Sequence, residues 1–227
     1  MVKTEKTARI IELLEEKSLV KFQVYENTVK VFQQFKQIAK EIHQDIKPDV
    51  PSIHRHMSCQ FRDKGEFEAE LKIASDLIVL TMHTNVFKFS RDHAISKTSY
   101  VQEDPSRGFC GIIYLYNYLA DSFKYNRLND VGYLVGRIFV NKENHFFVEG
   151  KRELGFLFNN FMGDPLDAEK IRQILESALQ YSIDFDLLTP AFEQVKEVSV
   201  QEMLSHSKSL TIKTGKRLGF RFEADND

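Results

Sequence analysis

The chain has 227 residues, of which 42% are hydrophobic and 28% charged, and a formal net charge of −2. That balance excludes an intrinsically disordered chain, and the length is enough to bury most of the unfolded surface without disulfide or metal staples. The near-neutral charge supplies no field to draw the chain onto nucleic acid or an anionic membrane, so neither is expected as a partner.

Nineteen Phe, eight Tyr and no Trp point to a Phe-packed core. Cys59 and Cys110 form no disulfide framework and read as buried free thiols in a reducing compartment. The N-terminus carries charges throughout and has no apolar core of a signal peptide. The longest charge-free apolar runs, 77–87 and 108–120, fall short of the roughly 18–20 residues of a membrane helix. A cytoplasmic location is the expectation.

Residues 3–47 read as helix, with a break near Ser18. Val24, Thr28, Val31, Phe35, Ile38 and Ile42 recur at alternating spacings of four and three, with Phe32 and Ala39 beside them, which makes one apolar face. That face either packs on the chain's own sheet or pairs helix 20–47 with a second copy. Pro48 and Pro51 end the helix.

A hairpin is predicted next. Over 53–61 the odd positions Ile53, Met57, Cys59 and Phe61 are apolar and the even positions His54, His56, Ser58 and Gln60 polar. Over 66–73 the odd positions Phe67, Ala69, Leu71 and Ile73 are again apolar, against Glu66, Glu68, Glu70 and Lys72. The two apolar sets share a face only across an odd loop, for which Asp63-Lys64-Gly65 is the candidate. Cys59 then faces Ala69, Ser58 faces Glu70 and His56 faces Lys72.

Residues 77–89 are apolar on both faces at their start and predict a central strand. Residues 92–107 have no period and read as a long surface loop. Strands follow at 109–118 and 131–140, a turn at 141–144 and a return strand at 145–149, while 151–161 has no clear state. Asp164 and Pro165 are expected to start a helix whose buried face is Ile171, Ile174, Leu175, Ala178 and Leu179. Thr189-Pro190 starts a further helical segment, 199–202 is a capping box, and 208–222 reads as a second hairpin with the basic residues Lys208, Lys213, Lys216 and Arg217.

The pattern as a whole predicts one α+β domain over 1–227: a helical segment 1–47, strands over 53–161, helices over 164–207 and the terminal hairpin. An antiparallel sheet of hairpins is covered by the long N-terminal helix and the C-terminal helices.

The chain carries no phosphate-binding Gly-rich loop, no zinc-protease helix motif, no nucleophile elbow and no C-x-x-C. That favours a non-enzymatic small-molecule-binding, sensor or interaction module. Its apolar ligand is expected between sheet and helices, against Phe87, Tyr114, Tyr116 and Phe139, with 92–107 as a lid. The alternative is a metal-dependent phosphodiesterase. There Asp49, Glu70 and Lys72 follow a nuclease-like order, and His54 and His56, with Glu70, could hold a divalent ion. A further alternative is a dimeric scaffold joined through helix 20–47.

Overall fold

The computed structural model describes residues 4–201 apart from Asn129, Asp164, Leu188 and Pro190. Helix α1 (Glu5–Leu13) starts at Thr4, whose hydroxyl accepts from the Thr7 amide. A π turn at Leu14–Ser18 links it to α2 (Leu19–Ile46), at the break expected near Ser18. The predicted stripe of α2 is its buried face, from Val24 through Ile42, with one unforeseen member, Lys36.

The stripe is spent within the chain. Val31, Phe32, Phe35, Ile38, Ala39 and Ile42 join Ala69, Leu71, Ile78, Leu80, Ile113 and Leu115 of the sheet in one core. A seam to a second copy through the 20–47 stripe would have to empty that core.

After α2, Val50–Ile53 form the short helix α3 in place of the expected strand start. Proline in its first turn costs no hydrogen bond there, and Val50 is drawn into the core. Residues 54–58 are turn and coil, and strand β1 is Cys59–Asp63.

Strand β1 pairs with β2 (Glu68–Ile73) at Cys59↔Ile73, Phe61↔Leu71 and Arg62↔Glu70. The predicted parity holds, so Leu71 and Ile73 still face the core, but Cys59 meets Ile73 rather than Ala69. The turn lies later than expected. The Lys64 amide donates to the Glu68 carbonyl at 3.0 Å, so the loop is Gly65-Glu66-Phe67. Gly65 has φ +117°, which a side chain would strain. Lys36 fixes this arrangement from α2, donating to the Asp63 carboxylate at 2.9 Å and to the Gly65 carbonyl at 3.0 Å.

The expected central strand is divided into β3 (Asp76–Met82) and β4 (Phe87–Lys88). Both pair with one edge of β5 (Phe109–Leu119), and 83–86 loops out between them. Beyond β5, past the short α5 (Ala120–Lys124), lie β6 (Tyr133–Val140) and β7 (Phe146–Gly150). Among the described residues the sheet has seven strands, all antiparallel, in the order β1-β2-β3-β5-β6-β7 with β4 beside β5. This is the predicted α+β architecture.

Residues expected as loop 92–107 are built instead from 3₁₀ turns at Ala94–Lys97 and Pro105–Gly108 around α4 (Ser99–Glu103). Each piece is about one turn long, too short to print a period. Ile95 and Val101 pack on Cys110, Ile112, Phe139, Phe147 and Phe161, so this segment covers one end of the second sheet face. It is pinned rather than free. Tyr100 donates to Glu143 at 2.7 Å, Lys142 to Asp104 at 2.7 Å, and Arg107 reaches both Glu143 and the Tyr100 carbonyl.

Helix α6 (Glu153–Leu157) resolves the ambiguous stretch. Helix α7 (Ala168–Ile183) buries the predicted face against the sheet and α2, but its cap is Asp167, whose carboxylate accepts from the Lys170 amide at 2.8 Å. Asp164 lies outside the described residues. A short α8 (Phe192–Val195) follows Thr189. Most of the 199–202 capping box is described only to Gln201, and the 208–222 hairpin with its basic residues lies outside. Among the described residues no helix is long and apolar enough to cross a membrane.

Candidate functional site

Alternation along the central strands sends one set of side chains under α2 and α7 and the other to the opposite face. On that second face three rows cross the sheet. Glu68, Thr81, Tyr114 and Arg137 stand abreast, with Glu149 beyond them. Arg62, Glu70, Val79, Tyr116 and Leu134 form the next row. Gln60, Lys72, Leu77 and Tyr118 form the last.

The middle of this face is a tyrosine row running down β5. Tyr114 and Tyr116 stack with ring centroids 5.7 Å apart, Tyr116 and Tyr118 lie 6.5 Å apart, and Phe123 of α5 meets Tyr118 edge-on at 5.2 Å. All three tyrosines are half-buried, and Leu134 beside them is 37% exposed. The packed segment 92–108 closes the row at one end and α5 bounds the other. Burial and the neighbouring Tyr114 and Tyr118 push the Tyr116 phenol above its ordinary pKa, so it stays neutral and can donate a hydrogen bond.

Charge is arranged along the two sides. On the β7 side Arg137 is paired with Glu149, which His93 also approaches. On the β1–β2 side Glu70 is only 4% exposed, with Lys64 Nζ at 3.4 Å and Arg62 Nη1 at 3.9 Å. Lys72 and Lys124 line the same hollow of about 370 Å³, with Leu77, Ala120 and Phe123 as its apolar wall. Four cations around one carboxylate leave that side basic.

The four predicted ligand residues are not gathered in one pocket. The space between sheet and helices is packed by the main core. Phe139 is buried on the other face, stacked on Phe147 at 4.6 Å. Phe87 is half-exposed at the sheet end beside His83. Only Tyr114 and Tyr116 share a surface that a partner could touch. The predicted lid, as described above, is part of the packed fold.

The hydrolase residues are likewise dispersed. Asp49 is exposed at the start of α3, on the helix-covered side, while Glu70 and Lys72 point from the opposite face. His54 and His56 sit in the exposed turn before β1 rather than on a strand, and the Arg55 guanidinium donates to His56. Glu70 lies beside Arg62 and Lys64 instead of facing Ser58. Among the described residues no three His, Cys, Asp or Glu side chains are grouped to hold a metal ion.

Among the described residues further hollows lie elsewhere. A groove of about 710 Å³ runs between α2, α6 and α7 over Ile42, Ile46, Leu154 and Leu179. Its arginines are already matched, Arg172 by Glu41, Asp45 and Glu176, and Arg152 by Asp184. A smaller one, about 450 Å³, lies between Phe22 and Tyr25 of α2 and the 84–86 excursion.

The face residues that the reading of the sequence missed are Tyr118, Val79, Leu134 and Arg137. The signal for Tyr118 was present: Tyr114, Tyr116 and Tyr118 alternate with Ile113, Leu115 and Asn117, a period of two. Comparison with protein-family models, with curated proteins and with solved structures finds no match for this chain.

Proposed function

We propose that the chain is a non-enzymatic interaction module whose partner seats on Tyr114, Tyr116 and Tyr118. The observation that carries this reading is the half-exposed tyrosine row on one sheet face, while the other face is fully covered by α2 and α7. A contiguous apolar and aromatic surface rimmed by charge is the usual composition of a protein-binding patch. Tyrosine suits that role because it offers a large rigid contact area and a polar tip, and interface energy concentrates on such residues. A filled space beneath the sheet favours a surface partner over an enclosed small ligand.

The test is selection of binding peptides from a displayed library on the intact protein, with each binder re-measured on Tyr116→Glu and on Glu176→Ala, which alters the α2–α7 groove. Binders weakened about tenfold or more by the first change, ~1.4 kcal/mol, and unaffected by the second support the reading. Binders indifferent to Tyr116→Glu, with circular dichroism reporting both variants folded, would count against it.

A further inference from the structure

We infer that the basic hollow on the β1–β2 side is a binding site for hydrogen phosphate, an anion that Glu70 recognises by its remaining P–OH. The inference goes beyond the reading of the tyrosine face and does not rest on it. Alternation places Gln60, Arg62, Glu70 and Lys72 on one side of the first hairpin, and α5 brings Phe123 and Lys124 to the same hollow. Lys64 joins them from just beyond the end of β1.

The carboxylate is the unusual part. Glu70 is almost fully buried and lines the hollow. Its nearest cations are Lys64 Nζ at 3.4 Å and Arg62 Nη1 at 3.9 Å. Both exceed the length of a charge-assisted hydrogen bond, about 2.7–2.9 Å. Among the described residues no closer donor reaches it. A buried carboxylate ordinarily has its oxygens filled by donors, because an unfilled acceptor has given up its water for nothing. The hollow therefore has an acceptor in its floor that calls for a donor.

Charge decides what carries that donor. Arg62 and Lys64 offset Glu70. Among the described residues Lys72 and Lys124 have no carboxylate within ion-pair distance, and Lys124 rests over the Tyr125 ring at 4.8 Å. A metal ion is opposed by the four surrounding cations. Sulfate and simple carboxylates bring negative charge but only acceptor oxygens, which would meet the Glu70 oxygens lone pair to lone pair. Hydrogen phosphate brings both features in one small anion. Its bare oxygens accept from the lysines and the guanidinium, and its P–OH donates to Glu70. A phosphomonoester offers that donor only below about pH 6, where its last proton is still bound. The apolar wall of Leu77, Ala120 and Phe123 limits water on one side and strengthens each charge contact.

The experiment uses the full chain, residues 202–227 included, in isothermal titration calorimetry at low ionic strength. The probes are inorganic phosphate, sulfate and methyl phosphate at about pH 8, where the monoester has lost its P–OH. Inorganic phosphate is expected to bind saturably, and at least about tenfold more tightly than either of the others, the scale of one hydrogen bond to a charged group. At about pH 5.5 methyl phosphate, protonated again, is expected to gain on inorganic phosphate. Lys72→Gln/Lys124→Gln is expected to weaken phosphate about tenfold or more. Glu70→Gln, whose amide donates as well as accepts, is expected to bring phosphate and sulfate within about twofold of each other. Circular dichroism reports whether the variants fold, and the wild-type preference between phosphate and sulfate decides the matter without them.

Equal binding of phosphate and sulfate by the wild type overturns the inference, since a general basic patch behaves in that way. So does the absence of saturable phosphate binding up to low-millimolar concentration, or a preference for phosphate that survives Glu70→Gln in a folded variant. None of these results bears on the tyrosine face, which displayed-peptide binding tests through Tyr116.

Discussion

Gly111 sits directly beneath α2, and replacing it by alanine tests which face of the sheet is covered. A Cβ built there would lie 2.1 Å from Thr28 Oγ1, 2.6 Å from Cγ2 and 2.7 Å from Cβ. Thr28 cannot rotate clear, because its own Cβ is one of the atoms met and its hydroxyl is held by the Val24 carbonyl at 2.7 Å. Carbon atoms rest at about 3.5–4.0 Å, so α2 has to retreat by roughly 1 Å. Overpacking of this kind costs about 1–3 kcal/mol. The upper end applies here, because the neighbouring Phe32 and Phe35 are fully buried and resist the shift. At roughly 2–4 °C per kcal/mol for a chain of this size, Gly111→Ala should lower Tm by about 6–12 °C in a thermal melt followed by circular dichroism. Adding Thr28→Gly should recover part of that loss, although glycine within a helix costs about 1 kcal/mol on its own. A Gly111→Ala protein within ~0.5 kcal/mol of wild type, at the level of an ordinary surface change, would mean that α2 does not rest on β5. The distinction between covered and uncovered faces would then fail.

Lys36→Met should release the β1–β2 hairpin, costing about 1 kcal/mol, the low end for a charge-assisted pair because Asp63 is half-exposed. Amide exchange should quicken at Asp63–Glu68 before it does at β5. Acid should unpin the 92–108 segment. Lys142 and Ser106 hold the Asp104 carboxylate well below its ordinary pKa. The stability it contributes is thus complete above about pH 4 and is lost as pH falls further. The urea midpoint should drop in that range, and Asp104→Asn should flatten the decline. At the alkaline end burial, with Glu143 as acceptor, pushes the Tyr100 phenol up to about 12. Its contribution is therefore intact below about pH 10 and lost as pH rises toward 12. Tyr100→Phe should remove that alkaline loss, and an unchanged alkaline profile in this variant would refute the assignment.

What could be read from the sequence was whatever repeats with a regular period. The α2 stripe spans many turns, so the face from Val24 to Ile42 was evident. Parity placed Ala69, Leu71 and Ile73 on the core side, as the structure has them. Register was not legible, because the turn at Gly65 is decided by Lys36, distant in sequence and near only after folding. Helix α3 escaped notice because four residues carry no periodicity and Val50 is helical for the sake of its burial. The candidate site was half visible. Tyr114 and Tyr116 were singled out, but grouped with Phe139, which the 92–108 segment buries, and with Phe87, which lies at the sheet end beside His83. That α1 holds no buried residue was hidden inside a single helical reading of 3–47, since nothing in the spacing says where the body of the protein ends.

The excursion at 83–86 gives the chain some slack. Strands β3 and β4 are each hydrogen-bonded to β5 on their own account, and the Thr84 and Asn85 side chains between them are exposed. Extra residues inserted there would lengthen the bridge without sliding either strand along β5. The tyrosines would therefore keep their neighbours Thr81, Val79 and Leu77. A peptide tag or a tethered dye could be housed at 84–85, at the sheet end beside Phe22 and Tyr25 of α2, while leaving the tyrosine face intact.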